Sequence, residues 1–315
     1  MGNVRITDGL IDQHLHGAFG IDFSNCTSDE IIELSKILPS QGITMFFPTL
    51  VTDTIENLKK QIRIIKQAKE KQPQESAQII GIHLEGPFIN PEKKGIHDKN
   101  CILKPNVEDF KVIEDEIIKI VTIAPELDDN YSLCNYLKSK EIKVSAGHTL
   151  STDLSCANQV THLFNAMGTI DHKKASTATL ALTSDHIYTE IIADSIHIND
   201  EVLKLVFKAK SLDKSILISD ALPIAHSKLT EMDFCNEKIY LKDNKATNKE
   251  GTIAGSAMLL NDIIKNLVLK NILPFETAIQ MASKNLQKYH NIKNNCKIHW
   301  DENLNVLKYE FINKK

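Results

Sequence analysis

The sequence predicts a (β/α)8 TIM-like barrel, and three observations predict it. Eight short apolar runs recur along the 315 residues, with helical patterns between most of them. Most runs are near-continuous rather than alternating, as expected of parallel strands covered on both faces. Five of them end in residues able to bind a metal or move a proton, which is how such a barrel builds a catalytic mouth.

The predicted strands cover residues 9–14, 42–50, 78–84, 118–124, 142–146, 159–163, 188–193 and 215–219. Residues 28–40 open on a Ser/Asp start signal and stop at Gly42, which predicts a helix. Residues 53–71 place Ile55, Leu58, Ile62, Ile65 and Ala68 on one helical face. Further crossover helices are expected over 128–140, 151–158 and 199–210, and the least regular one over 171–185. Residues 226–255 form an excursion after strand eight, with a hairpin in KIYLKDNKAT, followed by helices over 256–270 and 274–289. The expected organisation is one catalytic barrel over 8–290. Residues 1–7 and 291–315 are expected to be short terminal β segments, the tail a hairpin that pairs with residues 4–6.

Composition narrows the function classes. A net charge of −4 supplies no field for nucleic acid or an anionic membrane surface. Six scattered cysteines without CxxC spacing argue against a zinc ribbon or a dithiol redox centre. No apolar run approaches the roughly 20 residues of a membrane-spanning helix, and the start MGNVRITDG lacks a secretory pattern. A cytoplasmic protein with reduced thiols is expected.

His14 and His16 stand two apart, so in a strand they share a face and can reach one ion. Glu85 ends IIGIHL before a Gly-Pro turn, where a buried carboxylate calls for a cation. His148 and His162 terminate two more runs. Singly, each has an ordinary alternative: a capping glutamate, or a histidine bonded to a carbonyl. Together, two imidazoles and a carboxylate make the three-ligand set of catalytic zinc. Asp220, at the end of strand eight, is either an N-cap or a general base for the attacking water. His97 follows strand three and can donate to a developing oxyanion, whereas His83 is expected to point away from Glu85 and act structurally. Strand four ends in VTIAPE, with no lysine for a carbamate bridge. The set points to a metal-dependent hydrolase.

The segments IDQHLHGAFGIDF, GIHLEGPFINPEKKGIHD, IAPE, VSAGHT, THLFNAM, ADSIHI, ISDA and TIAGSA, spread over residues 10–290, resemble the N-acetylglucosamine-6-phosphate deacetylase family of the amidohydrolase superfamily. The resemblance implies that Glu85, His148 and His162 hold a principal divalent metal, zinc or iron. It implies a second ion at His14 and His16 sharing Glu85, Asp220 as the acid/base, and His97 on the acetyl carbonyl. Asn165, Ala166, Asp194, His197, Ile253, Ala254 and Gly255 would contact the sugar phosphate, and Ile96 would line the pocket. A homodimer is implied as well.

Three departures stand out. Lys173 occupies the place of the family's phosphate-clamping arginine, and neither arginine of this chain, Arg5 or Arg63, lies in a motif. The small β-domain of the family is expected to be vestigial or absent. Asp194-Ser195-Ile196-His197 replaces the family's DGxH, so the loop backbone is expected to differ. Deacetylation of N-acetylglucosamine 6-phosphate is the leading expectation. The alternatives are another N-acyl amine, such as N-acetylgalactosamine 6-phosphate or an unphosphorylated substrate, and a non-catalytic ligand-binding barrel.

Overall fold

The computed structural model describes residues 4–312. At its centre eight parallel strands follow one another in chain order: β1 (Leu10–Leu15), β2 (Ile43–Val51), β3 (Ile82–Glu85), β4 (Ile118–Ile123), β5 (Lys143–Ala146), β6 (Gln159–Val160), β7 (Tyr188–Ile192) and β8 (Ser215–Ile218). The first and last strands close the ring. A parallel bridge joins Leu15 to Ala221, the Asp220 N–H donates to the His14 carbonyl at 2.9 Å, and the His16 N–H donates to the Ala221 carbonyl at 2.9 Å.

Outside the ring lie α1 (Ser28–Ile37), α2 (Ile55–Lys71), α3 (Val107–Ile113), α4 (Ser132–Ser139), α5 (Thr177–Thr183), α6 (Asp200–Ala209) and α7 (Leu260–Leu269). Their apolar stripes pack on the outward faces of the strands, with Leu34, Ile62, Phe110, Leu137 and Val206 all fully or almost fully buried. Capping sets their starts: Thr27 and Glu30 exchange hydrogen bonds ahead of α1, and the Asn199 side chain accepts from Glu201 ahead of α6.

The helix expected over 151–158 is not formed. Ser151 Oγ donates to the Asp153 carbonyl, and Asp153 Oδ1 accepts the Ser155 N–H, so side chains hold the turn that a helix would have needed. Residues 102–117, for which the sequence suggests no helix, contain α3.

After β8 the excursion forms a four-stranded antiparallel sheet, Glu231–Phe234, Glu237–Lys242, Lys245–Thr247 and Ile253–Ser256. Its expected hairpin turns at Asp243 and Asn244, both left-handed. Arg5–Asp8 pairs antiparallel with Cys296–Trp300, which pairs in turn with Val306–Phe311. Residues 1–3 and 313–315, part of the expected terminal segments, lie outside the described residues. Among the described residues no helix is long and apolar enough to cross a membrane.

Inside the ring, Ile11, Phe47, Ile120, Ile192 and Ile218 form a separate apolar cluster with Leu286. Polar side chains lie among and above it, and at the strand ends they become the site described below.

One cation is held in the outer layer. Lys210 is buried, its amine donating to the Ala181 carbonyl at 2.8 Å and the Ser184 carbonyl at 2.6 Å. Burial pushes its pKa down to about 8. The unfolded chain, with an ordinary lysine near 10.4, binds more protons between those values, so this residue makes stability rise with pH across that window. Urea midpoints at pH 7 and 9.5 are expected to show wild type gaining on Lys210→Met as pH rises. A gap that does not change with pH would contradict this.

Candidate metal centre and active site

β3 supplies Glu85, and every other polar group of the site is arranged around it. Glu85 Oε1 lies 2.8 Å from His162 Nε2 and 3.1 Å from His148 Nε2, and the two imidazole nitrogens are 3.1 Å apart. Three donor atoms sharing an ion at about 2.0–2.2 Å lie roughly 3 Å from one another, so this triangle has the dimensions of a ligand set. Its chemistry fits too. His148 Nδ1 is 2.8 Å from the Lys93 carbonyl, to which it can only donate, so the neutral ring has its lone pair on Nε2. That lone pair faces a carboxylate oxygen, so acceptors converge where a cation would reconcile them.

His14 and His16 share a face as their spacing requires, their Nε2 atoms 3.2 Å apart. A register shift between Asp12 and Leu15 breaks the strict alternation and lets Gln13 point inward as well. His16 Nε2 is 3.3 Å from Glu85 Oε2, and His14 Nε2 is 3.5 Å from Glu85 Oε1. Closure of the ring brings in Asp220, whose Oδ1 is 3.1 Å from His16 Nε2 and 3.3 Å from His14 Nε2. Burial alone would raise the Asp220 pKa, but His14 and His16 outweigh it and hold the carboxyl below its ordinary range.

His97 reaches the same place from the loop after β3. Its Nδ1 accepts the Thr52 N–H at 3.2 Å, so Nε2 carries the proton and points at Glu85 Oε2, 3.3 Å away. Burial, reinforced by the neighbouring His148, pushes its pKa down to about 4, which makes it a neutral donor. Gly86 permits this contact. It is left-handed, and a Cβ there would sit 2.1 Å from Thr52 Oγ1, displacing the side chain that lies 2.8 Å from His97 Nδ1.

Left-handed backbone recurs at His148, His162 and Asp220, where a side-chain-bearing residue is held at a cost of order 1–3 kcal/mol. Ser195, where the resemblance places a glycine, is left-handed too (φ 66), a conformation that favours glycine.

A cavity of about 450 Å³ opens over this cluster. His16, Glu85, His97, His148, His162 and Asp220 form its floor. Ile96, Asn165, Ala166 and His197 line it with Ile253, Ala254 and Gly255 from the excursion. His14 lies beneath, fully buried. Asp194 stands behind His197 rather than on the wall, its Oδ2 2.8 Å from His197 Nδ1. Lys173 is exposed and does not line the cavity, and among the described residues Lys93 is the lysine that does.

His83 corrects the expectation that it points away from Glu85. Residues two apart in a strand share a face, and both side chains lie inside the barrel, His83 one layer deeper. It groups with His14 and Glu190 closely enough to suggest another cation position. Both its nitrogens are engaged, however, Nδ1 donating to the Gln13 carbonyl at 3.0 Å and Nε2 accepting from Thr122 Oγ1 at 2.8 Å. The structural role stands.

Sequence reasoning missed Glu190, fully buried in β7 with its Oε2 3.1 Å from His14 Nδ1. The available signal was a charge inside the apolar run IYTEIIA.

No family model matches the chain. N-acetylglucosamine-6-phosphate deacetylase of Bacillus subtilis is 35% identical over 81% of this chain and 67% of its own length. A crystal structure of the enzyme of that name from Pasteurella multocida is 26% identical, with a TM-score of 0.90 over 98% of this chain and 85% of the other. A mutant of the Mycobacterium smegmatis enzyme, solved in complex with N-acetyl-D-glucosamine 6-phosphate, is 25% identical with a TM-score of 0.89, over 97% and 85%. On this extent of identity, shared by a barrel whose Glu, His and Asp side chains converge at one mouth, the chain belongs to the N-acetylglucosamine-6-phosphate deacetylase family.

Proposed function

We propose that this chain hydrolyses the acetamide of N-acetylglucosamine 6-phosphate to glucosamine 6-phosphate and acetate. The observation that carries the reading is the Glu85–His148–His162 triangle, which opens on one cavity together with Asp220 and His97. Glu85, His148 and His162 would hold a principal zinc or iron ion, and His14 and His16, sharing Glu85, a second. Such an ion lowers the pKa of water towards 7 and polarises an amide carbonyl.

The chain's own residues supply the rest. Asp220 takes the proton of the attacking water and returns it to the departing amine. His97, neutral and protonated on Nε2, donates to the carbonyl oxygen as negative charge builds there. Asn165, Ala166 and His197, with the backbone of 253–255, surround the sugar; Ile96 packs against it, and Asp194 fixes the His197 ring.

Lys93 takes the anchoring role assigned by motif position to Lys173, because it is the lysine on the cavity wall. Losing one charge-assisted contact of about 1.5–3 kcal/mol is expected to raise KM for the 6-phosphate roughly ten-fold or more in Lys93→Ala. Turnover of unphosphorylated N-acetylglucosamine should not change, and an unaltered KM for the phosphorylated sugar would remove Lys93 from that role.

The function is tested by acetate release from metal-replete and chelator-stripped protein, using both 6-phosphate epimers and the unphosphorylated sugar. Turnover is expected only with metal and highest with N-acetylglucosamine 6-phosphate. A metal-replete protein inert towards every member of the panel would overturn the reading, and a preference for the galactosamine epimer would redirect it.

A further inference from the structure

We propose that Glu190 is a positioning residue: it selects the tautomer of His14 that presents a lone pair to a cation, and so controls occupancy of the cation position formed with His16. The proposal rests on the two-cation reading given above.

The argument is one of hydrogen-bond direction. Glu190 Oε1 receives Gln13 Nε2 at 2.6 Å and Gln159 Nε2 at 2.9 Å. Both amides are orientationally fixed. Gln13 Oε1 faces His290 Nε2 at 2.8 Å, and Gln159 Nε2 also donates to Ser145 Oγ at 3.2 Å. Flipping either amide would set a carbonyl oxygen against the carboxylate. The other oxygen, Oε2, faces the His162 N–H at 3.4 Å and His14 Nδ1 at 3.1 Å. A backbone N–H and an amide NH2 only donate, so every other group around Glu190 casts it as an acceptor. His14 Nδ1 must therefore carry a proton, so the neutral ring, the form that can ligate, has its lone pair on Nε2, which faces Glu85 and Asp220 3.5 and 3.3 Å away.

Glutamine at position 190 would keep the shape and reverse this logic. Its oxygen is held by the Gln13 and Gln159 donors at 2.6 and 2.9 Å against the single, longer His162 N–H contact at 3.4 Å, which turns its NH2 towards His14 Nδ1. The imidazole then carries its proton on Nε2, where the cation would bind. Carboxylate partners of ligating histidines typically account for about 10–100-fold in metal affinity.

The test is a zinc titration of stripped protein against a chromophoric chelator, for wild type, Glu190→Gln, His14→Ala and the double variant. Wild type is expected to bind two equivalents. Glu190→Gln should retain one at wild-type affinity and bind the second about 10–100-fold more weakly. In the His14→Ala background the glutamine should add nothing, because Glu190 acts through that ring. Two equivalents of unchanged affinity in Glu190→Gln would overturn the role of Glu190 alone. A further loss in the double variant would also overturn it, by showing general damage to the barrel interior. A wild type that binds one equivalent would remove the second cation position, and the proposal with it. Should Glu190→Gln fail to fold, nitrogen-15 spectra of zinc-loaded wild type carry the test. They should contain an exchange-protected imidazole Nδ1–H that disappears in His14→Ala, and its absence would overturn the proposal.

Discussion

Asp220→Asn is expected to lower turnover by about 10²–10⁴ while leaving metal content unchanged, the scale of a positioned proton-transfer group. Asparagine suits the position sterically: it is nearly the same size, and it tolerates the left-handed backbone found there (φ 52) better than most residues. The ring closure through the Asp220 N–H and the His14 carbonyl involves only backbone and survives the change. The variant loses the ability to accept a proton. Without an ion in place, His14 and His16 hold the Asp220 carboxyl below its ordinary range despite its burial, which favours the base form. Steady-state acetate release measured beside metal analysis checks this. Turnover near that of wild type would remove Asp220 from proton transfer, and loss of metal would recast it as a ligand.

Glu85→Ala should have the other large effect, a loss of metal and of activity together. Glu85 lies within 3.5 Å of ring nitrogens from five histidines: His14, His16, His97, His148 and His162. It is the carboxylate of both cation groups at the mouth. Removing a mere orienting partner already costs about 10–100-fold in metal affinity, and removing a ligand shared by two positions is expected to cost more. Without it His148 and His162 lose the carboxylate between them, and His14 and His16 keep only Asp220. Metal analysis after dialysis, and turnover with excess zinc, provide the check. A variant that keeps its full metal complement would show that the histidines suffice.

Much of the barrel was legible because its strands are buried on both faces, which leaves continuous apolar runs such as IIGIHL and ILIS in the sequence. The turn over 151–158 was not, since Ser151 and Asp153 read equally well as a helix start and as local side-chain-to-backbone bonds. The exchange of Lys173 for Lys93 has a different origin: a motif gives a residue's place along the chain but not which way a surface loop carries it. Glu190 was visible only as an anomaly, because the partners that explain it come from β1 and β6.

What the sequence by itself determined is the chemistry on offer: which residues carry lone pairs and protons, and, through the period of two, that His14 shares a face with His16. Only the tertiary structure decided that β1 closes against β8, bringing those histidines to Asp220, and which partners the Nδ1 atoms of His14, His97 and His148 meet. The reason is physical. Alternation along a strand encodes the face of a side chain, whereas its neighbours, its depth and the direction of its hydrogen bonds depend on strands that meet only when the ring is complete.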